Sequence, residues 1–107
     1  MAFRIKTNDT KPLLIGTLKD PAGAKVDISG ATARFHMKKY GASSLKVDAL
    51  ASVTNGSEGQ VSYSWSASDT DTAGTYYGEI EITYSDSKLE TFPNNGYFNI
   101  IINEDLD

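Results

Sequence analysis

Apolar residues recur at every second position along much of this chain, and that period decides what it can fold into. From Thr32 to Lys38, Ala33, Phe35 and Met37 fall on one side, with Thr32, Arg34, His36 and Lys38 on the other. Successive side chains of a strand point to opposite faces, so this spacing gives one apolar face and one wet face. Gln60 to Ser66 repeats it, setting Val61, Tyr63 and Trp65 against Ser62, Ser64 and Ser66. So does Tyr76 to Tyr84, where Tyr76, Gly78, Ile80, Ile82 and Tyr84 oppose Tyr77, Glu79, Glu81 and Thr83. No convincing window of helical length carries apolar side chains at i, i+3, i+4 and i+7, so the chain is expected to be all-β.

Turn chemistry divides the alternating runs. In Asp20-Pro21-Ala22-Gly23, proline presets the first turn angle and glycine accepts a positive φ, while Asn55-Gly56 is the strongest hairpin signal. Further breaks at Ser29-Gly30, Tyr40 to Ser44, Ser85-Asp86-Ser87 and Pro93 to Gly96 leave strands near 3–7, 12–19, 25–28, 32–38, 46–54, 60–66, 75–84, 88–92 and 97–103. The short 25–28 and 88–92 segments carry the least pattern, so the expected number is about seven or eight strands. Their close spacing points to an immunoglobulin-like two-sheet β-sandwich. At 107 residues, with no linker and no internal repeat, residues 1–107 are expected to form a single domain.

Composition removes several classes of function. There is no cysteine, which excludes disulfides, thiolate metal sites and cysteine nucleophiles. A net charge of −4 argues against nucleic acid as the main partner, because binding a phosphate backbone needs a basic surface. The longest apolar run, Phe98 to Ile102, is broken by Asn99 and falls far short of a membrane span, so no membrane partner is expected. The segment Met1 to Thr7 has no stretch apolar enough for a signal peptide, so synthesis in a cytoplasm without export is expected.

Catalytic constellations are sparse. His36 is the single histidine, and strand parity turns it outward between Arg34 and Lys38, which would disfavour its charged form. No second histidine or thiol completes a nucleophile relay. Asp69 and Asp71 offer oxygens for calcium, but no glutamate closes the loop and such aspartates commonly cap turns. Glu79 and Glu81 are neighbours on an outward strand face, where a cleft for paired-carboxylate chemistry is not expected. The scattered glycines form no phosphate-cradling loop. No catalytic, cofactor-binding or metal residue is assigned, and the chain is expected not to be an enzyme.

Aromatic residues are more informative. Phe35, Tyr63, Trp65, Tyr76 and Phe98 have core parity, whereas Tyr77 and Tyr97 have the opposite parity. With Ile101, which shares the parity of Tyr97, they form a candidate interaction patch, provided the last strand runs beside Tyr76 to Tyr84. Asp71-Thr72-Ala73-Gly74-Thr75-Tyr76 has the pattern of a tyrosine corner, in which Tyr76 would bond upstream backbone. Gly78 stands where antibody domains carry their second cysteine.

Three blocks, Asp20 to Met37, Asp71 to Ile80 and Glu90 to Phe98, read in order, resemble the N-terminal immunoglobulin-like domain of tailed-phage baseplate upper proteins. The resemblance extends from about Lys6 to Glu104. It implies a non-enzymatic virion part without cofactors, an adaptor or accessory subunit on the tail, baseplate or fibre attachment. Its partners would then be other phage structural proteins, in several copies per particle. Two alternatives stand beside it: a capsid decoration protein, present in far more copies, and a carbohydrate-binding module using Tyr77, Tyr97 or Trp65 to stack on host-surface glycans.

The small net charge conceals a split. Residues 1–46 carry nine basic and three acidic side chains, and residues 47–107 one basic and eleven acidic, +6 against −10. Unless neighbouring strands cancel it, the domain is a dipole whose docking weakens as salt rises.

Overall fold

The alternating segments fold as strands in a computed structural model that describes residues 2–106. They are β1 (Ala2–Lys6), β2 (Leu14–Thr17), β3 (Thr32–Lys39), β4 (Val47–Asn55), β5 (Gln60–Tyr63), β6 (Gly74–Thr83), β7 (Leu89–Phe92) and β8 (Phe98–Asn103). Short 3-10 turns at Gly56–Glu58 and Ala67–Thr70 complete the regular structure, so the chain is all-β as its period requires.

The strands form an immunoglobulin-like sandwich in which β4 belongs to both layers. Its first half pairs with β3 (Val47 opposite Met37, Ala51 opposite Ala33) and its second half with β5, across a register shift between Val53 and Asn55. The larger sheet runs β1-β8-β6-β3-β4, with β7 extending the β8 side of β6, and the smaller runs β4-β5-β2. β1 lies parallel to β8; the other ladders are antiparallel.

The core lies where the alternation puts it. Ala33, Phe35 and Met37 of β3, Tyr76, Ile80 and Ile82 of β6, and Ile100 and Ile102 of β8 face Val61, Tyr63 and Trp65 across the sandwich. Phe35 is the hub, with ring centroids 4.7 Å from Tyr63, 5.5 Å from Trp65 and 6.2 Å from Phe98. Burying each such side chain contributes about 1.5–3 kcal/mol. Thr70, the one buried polar residue among those described, donates to the Asp9 carbonyl at 2.9 Å and ties the second 3-10 turn to the loop after β1.

Local expectations divide. The Asp20 turn closes through the Gly23 N–H on the Asp20 carbonyl, with the Asp20 carboxylate accepting from the Ala22 and Ala24 N–H groups. The β4–β5 hairpin forms, but its left-handed residue is Gly59 at φ +68°, after a 3-10 turn, rather than Gly56 in a two-residue turn. Segment 25–28 is not a strand: it makes one bridge, Lys25 to Lys19, and is held by Val26 and Ile28 N–H groups on Leu18 and Gly56 carbonyls. Ile28 is nonetheless fully buried, which explains why its sequence reads like a strand. The ladder of β5 stops at Tyr63, although Trp65 still faces the core.

Candidate functional site

The outer face of the larger sheet carries the outward residues of β3, β6, β8 and β1. Register fixes their neighbours: Lys38 lies opposite Tyr77, which lies opposite Asn99, while Thr75 lies opposite Ile101, which lies opposite Arg4. Tyr97, immediately before β8, stacks on Tyr77 with centroids 5.1 Å apart and planes at 22°. Tyr40, just beyond β3, meets the other side of Tyr77 edge-on at 5.5 Å. The result is a row of three tyrosines, the outer two 67% (Tyr40) and 59% (Tyr97) exposed, with Tyr77 half-buried between them.

Sequence parity identified Tyr77 and Tyr97 but omitted Tyr40, which falls in a segment read as a turn. Its signal was the continuation of the outward series Arg34, His36, Lys38, Tyr40; the Tyr40 N–H still donates to the Thr75 carbonyl at 3.0 Å, extending the ladder. Ile101 is half-buried on the same face, but Asn99 separates it from Tyr97 along β8, so it flanks the row next to Arg4.

Because Tyr77 and Tyr97 stack face to face, they do not present a coplanar platform for a sugar ring. Trp65, the third candidate for sugar stacking, is buried against Phe3, Phe35 and Tyr63 and cannot take that role. Its indole N–H is the one buried side-chain polar group without a partner among the described residues.

Beside the tyrosines the face is charged. Arg34 donates from Nε to Asp48 Oδ1 at 2.8 Å and from Nη2 to the Asp48 carbonyl at 3.0 Å. The Arg34 hydrogen bond, with help from His36, holds the Asp48 carboxyl below its usual range. His36 is outward but only 16% exposed, with Nε2 3.2 Å from Asp48 and Nδ1 3.6 Å from Glu79. Its nearest charges are therefore carboxylates on β4 and β6, not the Arg34 and Lys38 that flank it in sequence. Glu81 lies opposite Arg34 on the same open face.

The two aspartates considered for calcium already have partners. Asp69 accepts from the Tyr63 hydroxyl at 2.6 Å and the Ser66 N–H at 2.9 Å, which fixes the second 3-10 turn. Asp71 pairs with Lys46 at 2.6 Å and accepts from the Thr72 hydroxyl. Lys46 holds Asp71 below the ordinary carboxylate value, and Asp71 raises Lys46 in turn. Among the described residues no group of three or more His, Asp or Glu side chains is placed to hold a metal.

Tyr76 is 1% exposed, and its hydroxyl donates to the Thr72 carbonyl at 2.7 Å, the geometry of a tyrosine corner. The space beside Gly78 is taken by Phe98 and Ile100: a Cβ on Gly78 would lie 2.7 Å from Phe98 Cε2 and 2.8 Å from Ile100 Cδ1.

The charge split is partly cancelled by strand pairing. Lys25–Glu58, Arg34–Asp48 and Lys46–Asp71, like both contacts of His36, each join the basic first segment to the acidic second. The strand register interleaves charges that the sequence separates.

A second surface lies where the sandwich opens between the edge strand β2 and the ends of β1, β7 and β8 in the larger sheet. It is an apolar groove of about 670 Å³, with Phe3, Leu14, Val61, Ile80, Phe92 and Phe98 among its walls.

No protein-family model and no curated protein matches the chain. Among solved structures, it is similar to the N-terminal domain of ORF48 of phage TP901-1, at 10% identity and a TM-score of 0.73, over 96% of this chain and 85% of that one. It is also similar to CopC from Methylosinus trichosporium OB3b, at 11% identity and a TM-score of 0.54, over 99% of this chain and 87% of that one. At these identities the likeness is one of fold.

Proposed function

We propose that the chain is a non-enzymatic structural protein of a tailed-phage particle, an immunoglobulin-like adaptor or accessory subunit that docks on the tail or baseplate through its tyrosine row. The observation that carries this reading is the fold likeness to the N-terminal domain of a phage protein, at a TM-score of 0.73 over nearly the whole chain. The ordered blocks from Asp20 to Phe98, which resemble baseplate upper proteins, support it independently. Tyr40, Tyr77 and Tyr97 supply the docking face, since clustered exposed aromatics are enriched where proteins meet.

Particle incorporation of a Tyr40→Ser, Tyr97→Glu double variant tests the reading. The variant is expected to fold with an unchanged melting midpoint and to be missing from assembled particles. Incorporation at the wild-type level removes the tyrosine row as the docking face. A capsid decoration role differs in copy number, covering a shell where an adaptor fills one or a few rings. The stacked arrangement of Tyr77 and Tyr97 weighs against glycan binding, and retention on a glycan column would reverse that.

A further inference from the structure

The smaller sheet ends in β2, whose residues Leu14–Thr17 pair with β5 on one side only. Every second residue of such an edge turns its N–H and C=O away from its neighbour, leaving them for water or another strand. Natural edges are blunted by shortness, charge, proline or a bulge; β2 is short, at four residues, but Leu14, Ile15, Gly16 and Thr17 carry no charge, proline or bulge. Ile15 is 70% exposed on the outer side, and Leu14 and Gly16 border the apolar groove on the inner side.

Gly16 is the informative residue. It lies opposite Val61, with its missing side chain on the core side, and its φ is not in the left-handed region. Apart from the adjoining residues, a Cβ there would meet only Val61 Cγ2, at 4.0 Å. Neither backbone conformation nor crowding requires glycine, so its effect is to leave space open beside the groove.

Charge narrows what can fill that space. Lys19 lines the groove, and Lys11 lies three residues before β2; both are exposed, and neither forms an ion pair among the described residues. Antiparallel pairing of two copies of β2 centred on Ile15 would bring Lys19 of one towards the Lys11 end of the other. Like charges placed opposite one another oppose that pairing.

We infer that the β2 edge and its groove are a strand-addition site for an extended segment of a partner protein. The segment pairs with β2 through its backbone, places a large apolar side chain over Gly16, and brings acidic residues to Lys11 and Lys19. Backbone pairing supplies affinity and alternate side-chain pockets supply specificity in this mode of recognition. The β2 edge contains none of the three tyrosines and does not depend on them.

The probe is a capped peptide, Glu-Val-Thr-Phe-Thr-Val-Thr-Val-Glu, which in antiparallel register with its Phe opposite Gly16 sets its end glutamates opposite Lys19 and Lys11, added to the whole chain at up to about 1 mM, enough to half-fill a site of millimolar Kd. Hydrogen exchange of the outward-facing β2 amides, read by NMR, is expected to slow by at least about twofold at the top concentration, since protection scales as one plus the ratio of peptide to Kd. N-methylation of the peptide along its pairing edge should abolish the effect. Gly16→Leu should weaken binding at least tenfold without lowering the melting midpoint, and the smaller Gly16→Ala should weaken it less. Lys19→Glu should weaken it while retaining the fold. Absence of slowing at the top concentration, or binding indifferent to N-methylation and to Gly16→Ala, overturns the proposal. A dimer with protected β2 amides in the peptide-free protein also overturns it, because the occupant would then be a second copy.

Discussion

The hydroxyl of Tyr76 donates to the carbonyl oxygen of Thr72, four residues upstream, at 2.7 Å. The bond fixes the chain as it enters β6, the strand that pairs with β3, β7 and β8 and from which Tyr77 projects on the opposite face. Core and outer sheet face are therefore set by consecutive residues.

Tyr76→Phe tests the first of these. The ring stays buried and only the hydrogen bond is lost, so the variant should be destabilised by about 1–2 kcal/mol. Urea unfolding should give a lower midpoint with an unchanged slope; an unchanged midpoint would mean that the corner bond contributes nothing.

Gly78→Ala adds one methyl where Phe98 Cε2 and Ile100 Cδ1 already stand within 3 Å of its position. Overpacking of this kind costs about 1–3 kcal/mol. Calorimetry should show a lower melting midpoint, and a midpoint at or above that of the wild type would contradict the packing described.

Three tyrosines are expected to make the fold sensitive to alkali. Burial, together with the bond to Glu90, pushes Tyr84 up to about 12. Burial also raises Tyr63, reinforced by Asp69, and Tyr76. The unfolded chain releases these protons near the ordinary phenol value of about 10. The folded state thus holds the neutral forms more tightly, and the resulting stability is complete below about pH 10 and lost as pH rises towards 12. Phenolate absorbance from these residues should appear together with loss of the strand signal in circular dichroism. Full phenolate absorbance with the strand signal intact would refute this.

Alternation identified the strands, the core faces and the outward parity of Tyr77 and Tyr97, because burial on one side of a strand leaves a period of two in any single sequence. Properties of pairing were not legible in that way. The carboxylates beside His36 come from β4 and β6, and Tyr40 joins Tyr77 only through the β3–β6 register. Segment 25–28 has the apolar content of a strand because Ile28 is buried, but it lacks a neighbouring strand to form a ladder. The change of layer within β4 depends on a register shift that composition does not mark.

Register also alters the expected response to salt. With Lys25, Arg34 and Lys46 paired across the charge split, the dipole is reduced, and the tyrosine row is aromatic. Docking through that row should change little between about 0.1 and 0.5 M salt, whereas a partner held at Lys11 and Lys19 should weaken as screening shortens. Sedimentation of subassemblies across this range separates the two surfaces; release of the tyrosine-docked complex by salt would contradict the assignment.

Quantitative mass spectrometry of gradient-purified tailed-phage particles from cells that natively express the chain decides whether this domain is built into a phage particle. The chain is expected at a fixed ratio to the tail proteins, corresponding to one or a few rings per particle. Its absence from particles that contain the other tail proteins would refute a place for it in the virion.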